Sequence, residues 1–190
     1  GSSERNISVV IDQADSTRAL RAVHSGLYLS DQTLSVGVIG PGLIGSALLK
    51  QLEAQAPLLK SRFKIDLRVR AISSSKKMLL ENSRIPLATW KTAFESKSGP
   101  ADLETFANHV QADHLPHSVI IDCSSSEEIA SLYSKWLDRG IHVITPNKKA
   151  NSGPLEYYRK LRGLGRKLNT HYFYEATVGA GLPVITTLRD

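Results

Sequence analysis

The stretch Ser35–Leu52, SVGVIGPGLIGSALLKQL, joins a short apolar run to three closely spaced glycines and a helix-like tail. Leu34 to Ile39 reads as a strand, and Leu43, Ile44, Ala47, Leu48 and Leu52 then recur at helical spacing. Gly40, Gly42 and Gly45 therefore fall in a strand-to-helix turn, in the order G-P-G-L-I-G. In such a turn the first glycine permits a sharp reversal and the second lets backbone approach a pyrophosphate. The third lets the helix lie close on the strand. The helix start adds unpaired N–H groups and a partial positive charge. Gly40, Pro41, Gly42, Leu43, Ile44 and Gly45 are thus a candidate dinucleotide cradle. A glycine-rich turn without a ligand is the competing reading.

Strand and helix signals alternate on both sides of this turn. Upstream, Asn6 to Ile11 reads as a strand, and Asp15-Ser16-Thr17 can cap a helix through Val23 that stops at Gly26. Downstream, Ile65 to Ile72 is a strand, and the polar, proline-bearing segment Ser73 to Pro100 predicts loops with short helical turns. Ala101–Gln111, Glu127–Asp138 and Leu155–Leu168 read as helices; Val119–Asp122, Gly140–Ile144 and Tyr172–Tyr174 read as strands. The alternation predicts an α/β, Rossmann-type doubly wound parallel sheet covered on both faces. The domain boundary is expected at 33/34. Residues 1–33 comprise a tag remnant (Gly1 to Ser3) and a linker or the tail of another domain, and residues 34–190 form the dinucleotide-binding domain.

Composition narrows the function classes. With 41% hydrophobic and 22% charged residues the chain reads as an ordinary globular protein of 190 residues. No apolar run approaches the ~18 residues of a membrane span, and no secretory or transit signal is visible at the start. The single cysteine, Cys123, excludes an internal disulfide and closes an apolar run, which suits a buried, inert thiol. The net charge of +6 raises a nucleic-acid reading. The basic residues are scattered without aromatic interleaving, so a solvated basic surface is preferred, and no nucleic-acid partner is expected.

The second strand decides between NAD and NADP. NAD binders place an acid at the end of that strand for the ribose 2′-hydroxyl. Here the strand runs out as Arg70-Ala71-Ile72-Ser73-Ser74-Ser75-Lys76-Lys77, and Asp66 stands at its beginning, the wrong edge of the sheet. Ser73 and Lys76, with Arg70 close in sequence, suit a 2′-phosphate, so NADP is favoured and NAD stays open. A solvated loop is the alternative for Lys76 and Lys77.

Four motifs then carry a resemblance: IGPGLIG, VIIDCSSS (Val119 to Ser126), TPNKKA (Thr145 to Ala150) and EATVGAGLP (Glu175 to Pro183). In this order they resemble homoserine dehydrogenase, from about Leu34 to Asp190. The segment before Leu34 also resembles the junction in bifunctional aspartokinase–homoserine dehydrogenases, where the last regulatory ACT element leads into the dehydrogenase. The GPGLIG wording is most similar to plant-type enzymes.

The resemblance implies NAD(P)H-dependent interconversion of aspartate 4-semialdehyde and homoserine, a step of amino-acid biosynthesis. It implies that Ser124 lies near the cofactor; the residues alone equally allow a helix cap there. It implies that Lys148 lies beside nicotinamide and substrate, as a cofactor-binding and catalytic residue, with Lys149 as second choice. Without it, a lysine after Pro146 would simply face solvent. The loop from Glu175 is implied to hold a sodium ion, with Val178, Ala180 and Leu182 giving carbonyl oxygens; a glycine-rich lead into a helix fits the same letters. The family's chain continues into a substrate and dimerisation region, so turnover by this piece alone is not expected. A homo-oligomeric parent and a plastid location, or a cytoplasmic one if not plant-type, follow from the same resemblance. A stand-alone nicotinamide-sensing module is the alternative.

Overall fold

The computed structural model describes residues 2–3, 6–16, 19–20, 32–112, 115, 117–179 and 181–189. Seven strands form one sheet: β1 (Gln32–Ile39), β2 (Ile65–Ser73), β3 (Lys77–Leu80), β4 (Gly99–Pro100), β5 (His117–Asp122), β6 (His142–Ile144) and β7 (Tyr172–Phe173). Their order is β4-β3-β2-β1-β5-β6-β7. The run from β2 through β7 is parallel, while β3 and β4 add antiparallel pairings at one edge. The chain moves from β1 outward to β2, β3 and β4, then returns to β5 on the other side of β1. That reversal makes a topological switch point at the carboxyl ends of β1 and β5, where an open α/β sheet binds its ligand.

Helices cover both faces. Helix α1 (Leu43–Phe63) and helix α2 (Trp90–Lys97) lie with one cluster that includes Val36, Val38, Leu49, Val69, Ile72, Trp90, Val119 and Ile121. On the other face lie α3 (Leu103–Val110), α4 (Glu127–Ser131), α5 (Tyr133–Asp138), α6 (Lys149–Ser152) and α7 (Leu155–Leu168). Their cluster is built on Ala71, Phe106, Ile120, Tyr133, Trp136, Val143 and Leu161. Alternating residues of β1 and β5 divide between the clusters because successive side chains of a strand point to opposite faces. A short helix α8 (Val184–Arg189) follows the sheet. Among the described residues, no helix is long and apolar enough to cross a membrane.

Three expectations need correction. The strand Asn6 to Ile11 shrinks to Asn6–Ile7, paired with Ser2–Ser3. Val9 and Val10 are 73% and 99% exposed, so the alternation there has no surface to bury against. Of the expected helix from Asp15, a 3-10 turn at Gln13–Asp15 and helical backbone at 16 and 19–20 are described. Its continuation through Val23 to Gly26 lies outside the described residues, whereas residues 33 and 34, on either side of the expected boundary, both lie within β1. The segment Ser73 to Pro100 holds the helical turns expected of it, but also the strands β3 and β4. Ser74 closes a tight turn onto Lys77, folding Met78-Leu79-Leu80 back along β2. The helix expected over Glu127–Asp138 is two short helices divided at Leu132.

A register shift between Val36 and Gly37 places Val69 and Ala71 opposite consecutive residues of β1, so Arg70 is the extra residue of a bulge. Such an insertion re-aims the side chain it carries. Gly37, on the same stretch, lies under α3: a Cβ there would come within 2.6 Å of Val110 Cγ2 and 2.8 Å of the Phe106 ring. Both neighbours are fully buried and cannot withdraw. Gly37→Ala should therefore destabilise the domain by about 1–3 kcal/mol, the usual range for overpacking a core. A lowered urea midpoint with an unchanged slope is the expected result.

Candidate functional site

The turn after β1 uses its glycines in three different ways. Gly40 has φ 81°, and its N–H donates to the Ser73 carbonyl at 2.8 Å, tying the turn to the end of β2. A Cβ on Gly40 would stand 2.9 Å from the Ser124 nitrogen at the exit of β5. A Cβ on Gly45 would overlap the Gly40 carbonyl oxygen, so α1 can descend onto the turn only with glycine there. Gly42 differs: its φ of −75° suits any residue, and a Cβ would meet nothing within 4 Å. What its missing side chain leaves open is space in front of the helix start. Gly42 is the N-cap and makes no side-chain cap bond, so the first N–H groups of α1 receive no side-chain acceptor from it. Pro41 is half-buried beside it, while Leu43 and Ile44 are exposed on the rim. Open volume, N–H donors and the positive end of a 21-residue helix meet at one point, which suits an anion. The residues here fit a dinucleotide pyrophosphate.

The second wall comes from the exits of β5 and β6. Asp122 ends β5 fully buried, and its carboxylate accepts from the Ser124 N–H (2.8 Å), the Tyr133 hydroxyl (2.5 Å) and Asn147 Nδ2 (3.0 Å). Asn147 Nδ2 also donates to the Ser126 carbonyl at 2.9 Å, and Thr145 Oγ1 donates to the Asp122 carbonyl at 2.9 Å. The loop bearing Ser124 and the loop bearing Lys148 are thereby bonded together. Burial, then the adjacent Asp122 charge, push the Tyr133 hydroxyl far above its usual range, so it remains a donor. Ser124, half-buried, accepts from the Ser126 N–H at 3.2 Å, while Ser126 itself caps α4. Lys148 is exposed at the start of α6, beyond the carboxyl end of β6. Neither Asp122 nor Asn147 was singled out in the sequence as a site residue. A buried carboxylate two residues before a serine, with an asparagine before a lysine, is a signal legible only once β5 and β6 are known to be neighbours.

The third wall is the turn from β2 to β3. Ser73 is buried at the end of β2 with its carbonyl on Gly40, and Lys76 and Lys77 are exposed beside it, at the same edge as the cradle. Arg70, read from the sequence as near a 2′-phosphate, is instead 3% exposed beneath α3. Its guanidinium donates to the carbonyls of His109 (2.7 Å) and Asn82 (3.0 Å), because the bulge turns it inward. Asp66 stands at the amino end of β2, paired with Arg68 at 2.7 Å and Arg84 at 3.0 Å. Burial alone would raise its carboxyl, but the Arg68 hydrogen bond and the Arg84 charge outweigh it and hold Asp66 low. Its role is structural.

The Glu175 loop leads into α8. The Glu175 carboxylate accepts from the N–H groups of Ile185 (2.8 Å) and Thr186 and from the Thr186 hydroxyl, so it caps α8. The Leu182 carbonyl accepts from the Val184 N–H at 2.8 Å, and Val178 is exposed. Ala180 lies outside the described residues. Among the described residues, no cluster of three His, Cys, Asp or Glu could hold a metal ion. Cys123 is half-buried, and burial with the Asp122 charge pushes its thiol up to about 11, leaving it protonated at neutral pH.

Because a side chain at 42 would enter open volume, Gly42→Val tests the cradle apart from the fold. Dinucleotide binding should be abolished, while unfolding stability falls by no more than ~1 kcal/mol, the scale of a changed N-cap. Titration of the folded variant with NADPH checks this; unchanged affinity would place the pyrophosphate elsewhere.

The family model described as "Homoserine dehydrogenase, NAD binding domain" matches residues 40–175. Over all 190 residues the chain is 58% identical to a protein of Arabidopsis thaliana named bifunctional aspartokinase/homoserine dehydrogenase 1, chloroplastic, and it covers 21% of that relative. It is 34% identical over 166 residues to the homoserine dehydrogenase of Saccharomyces cerevisiae, covering 85% of this chain and 44% of the yeast protein. A solved hyperthermophilic archaeal homoserine dehydrogenase in complex with NADPH superposes with a TM-score of 0.64 at 23% identity, covering 82% of this chain and 48% of that one. At that identity the likeness concerns the fold alone. The chain spans about a fifth of the length of the plant relatives it matches. With its cradle at the β1/β5 switch point and its motifs at the carboxyl ends of β5 and β6, this chain belongs to the homoserine dehydrogenase NAD-binding domain family.

Proposed function

We propose that this chain is the cofactor-binding part of an enzyme interconverting aspartate 4-semialdehyde and homoserine, with NADP as the preferred cofactor. The observation that carries the cofactor reading is the empty volume at Gly42, in front of the open start of α1. Two features favour NADP: the end of β2 offers no acid to a ribose 2′-hydroxyl, and Ser73 with exposed Lys76 and Lys77 stands there instead.

When bound, the nicotinamide supplies or accepts the hydride. The residues of this chain hold and orient it. The Gly40 to Gly45 turn takes the pyrophosphate on backbone N–H groups, and Ser124 borders the same crevice. Lys148, on the loop after β6, holds negative charge that develops on the substrate oxygen, an interaction worth most at the transition state. Sodium at Glu175, Val178, Ala180 and Leu182 rests on the family resemblance alone. The Glu175 carboxylate is engaged on α8, and no step is assigned to a cation. The names of the plant relatives support a plastid location, and the resemblance supports a homo-oligomeric parent.

Lys76→Ala with Lys77→Ala should weaken NADPH while leaving NADH affinity nearly unchanged. The loss should be about tenfold, the scale of one charge-assisted hydrogen bond. Parallel titrations with both cofactors check it, and equal weakening of the two would remove this turn from the 2′-phosphate site. In the full-length protein, NADPH oxidation that depends on aspartate 4-semialdehyde, and falls ~10²-fold or more in Lys148→Ala, tests the activity itself.

A further inference from the structure

We infer that Asn147 is a positioning residue for Lys148, held to that task by the buried Asp122 and Tyr133. The inference rests on the reading above that Lys148 lies beside the nicotinamide. Lys148 is exposed, and an exposed lysine carries four rotatable bonds and a free backbone unless something fixes its origin. Here both neighbours are fixed. The Asn147 N–H donates to Thr145 Oγ1 at 2.8 Å, and Asn147 Oδ1 accepts from the Lys149 N–H at 3.0 Å. The carbonyl of Lys148 accepts from the N–H groups of Asn151 (3.0 Å) and Ser152 (2.9 Å), which anchors it to the first turn of α6.

The Asn147 amide is in turn held from behind. Its Nδ2 reaches Asp122 Oδ2 at 3.0 Å and the Ser126 carbonyl at 2.9 Å, so it grips the neighbouring strand exit. The Tyr133 hydroxyl donates to the same carboxylate oxygen and also meets Thr145 Oγ1 at 3.0 Å. Asn147 is 4% exposed and Asp122 fully buried, so water does not compete for these bonds. Both amide N–H groups and the amide oxygen of the asparagine are thus engaged, on a carboxylate, a backbone carbonyl and the Lys149 N–H. Its own contact with a ligand is not required.

A purely structural asparagine and a positioning one differ in what they couple to. In this chain, Lys148→Ala and Asn147→Ala should each weaken NADPH about tenfold, the loss expected for one bond to a charged group. Asn147→Ala should then add nothing in the Lys148→Ala background. Neither change should alter affinity for 2′-phospho-ADP-ribose, which has no nicotinamide. If Asn147→Ala weakens NADPH equally in both backgrounds, or weakens 2′-phospho-ADP-ribose as much, the positioning role is overturned. If Lys148→Ala alone leaves NADPH unchanged, the placement of Lys148 beside the nicotinamide fails, and the inference with it. Should Asn147→Ala not fold, Tyr133→Phe keeps ring and packing but removes one donor from Asp122. It should weaken NADPH several-fold with the same dependence on Lys148, and an effect independent of Lys148 would again overturn the role.

Discussion

The carbonyl oxygen of Gly40 occupies the place where a side chain on residue 45 would have to stand. That single close approach lets α1 start directly against the end of β1. It also lets the turn lie against the Ser124 backbone, since Gly40 has no Cβ to keep the exit of β5 away. The positive φ of Gly40 directs its N–H to the Ser73 carbonyl, so the ends of β1, β2 and β5 are fastened around one residue. Packing this tight brings the helix start to the switch point of the sheet. Had either glycine carried a side chain, the helix would stand off and its N–H groups would no longer face a common space.

A second constraint is electrostatic. Asp122 has no access to water, and a buried carboxylate is tolerable only when donors surround it. Ser124, Tyr133 and Asn147 supply them from the following turn, from α5 and from the loop after β6. Because the donors come from separate segments, satisfying one charge fixes three pieces of chain relative to one another. The rigid part of the site is therefore its floor. Ser124 and the loop bearing Lys148 stand on that floor.

Arg70 and Asp66 illustrate how charge near a site in sequence is diverted elsewhere in space. Arg70 stands only three residues before the Ser73 edge in sequence. The bulge turns it under α3 onto two backbone carbonyls. Asp66 is engaged by Arg68 and Arg84 at the opposite edge. What remains at the carboxyl edge of β2 is three serines and two lysines on a tight turn.

The sequence by itself determined the alternation of strands and helices, the glycine turn and its place between β1 and α1. These are local matters: apolar period, turn chemistry and missing side chains act over a few residues and leave their marks within the stretch they shape. It also supplied the motifs that carry the family. The short strands β3 and β4, the bulge at Arg70, the helix cap formed by Glu175 and the Asp122–Asn147 bond were decided only by the tertiary structure. Each depends on partners far apart along the chain, or on one extra residue in a register that no local pattern encodes. Asp122 and Asn147, 25 positions apart, meet only because β5 and β6 lie side by side. The need to satisfy a buried charge, which arises only once the sheet has closed around it, then joins them.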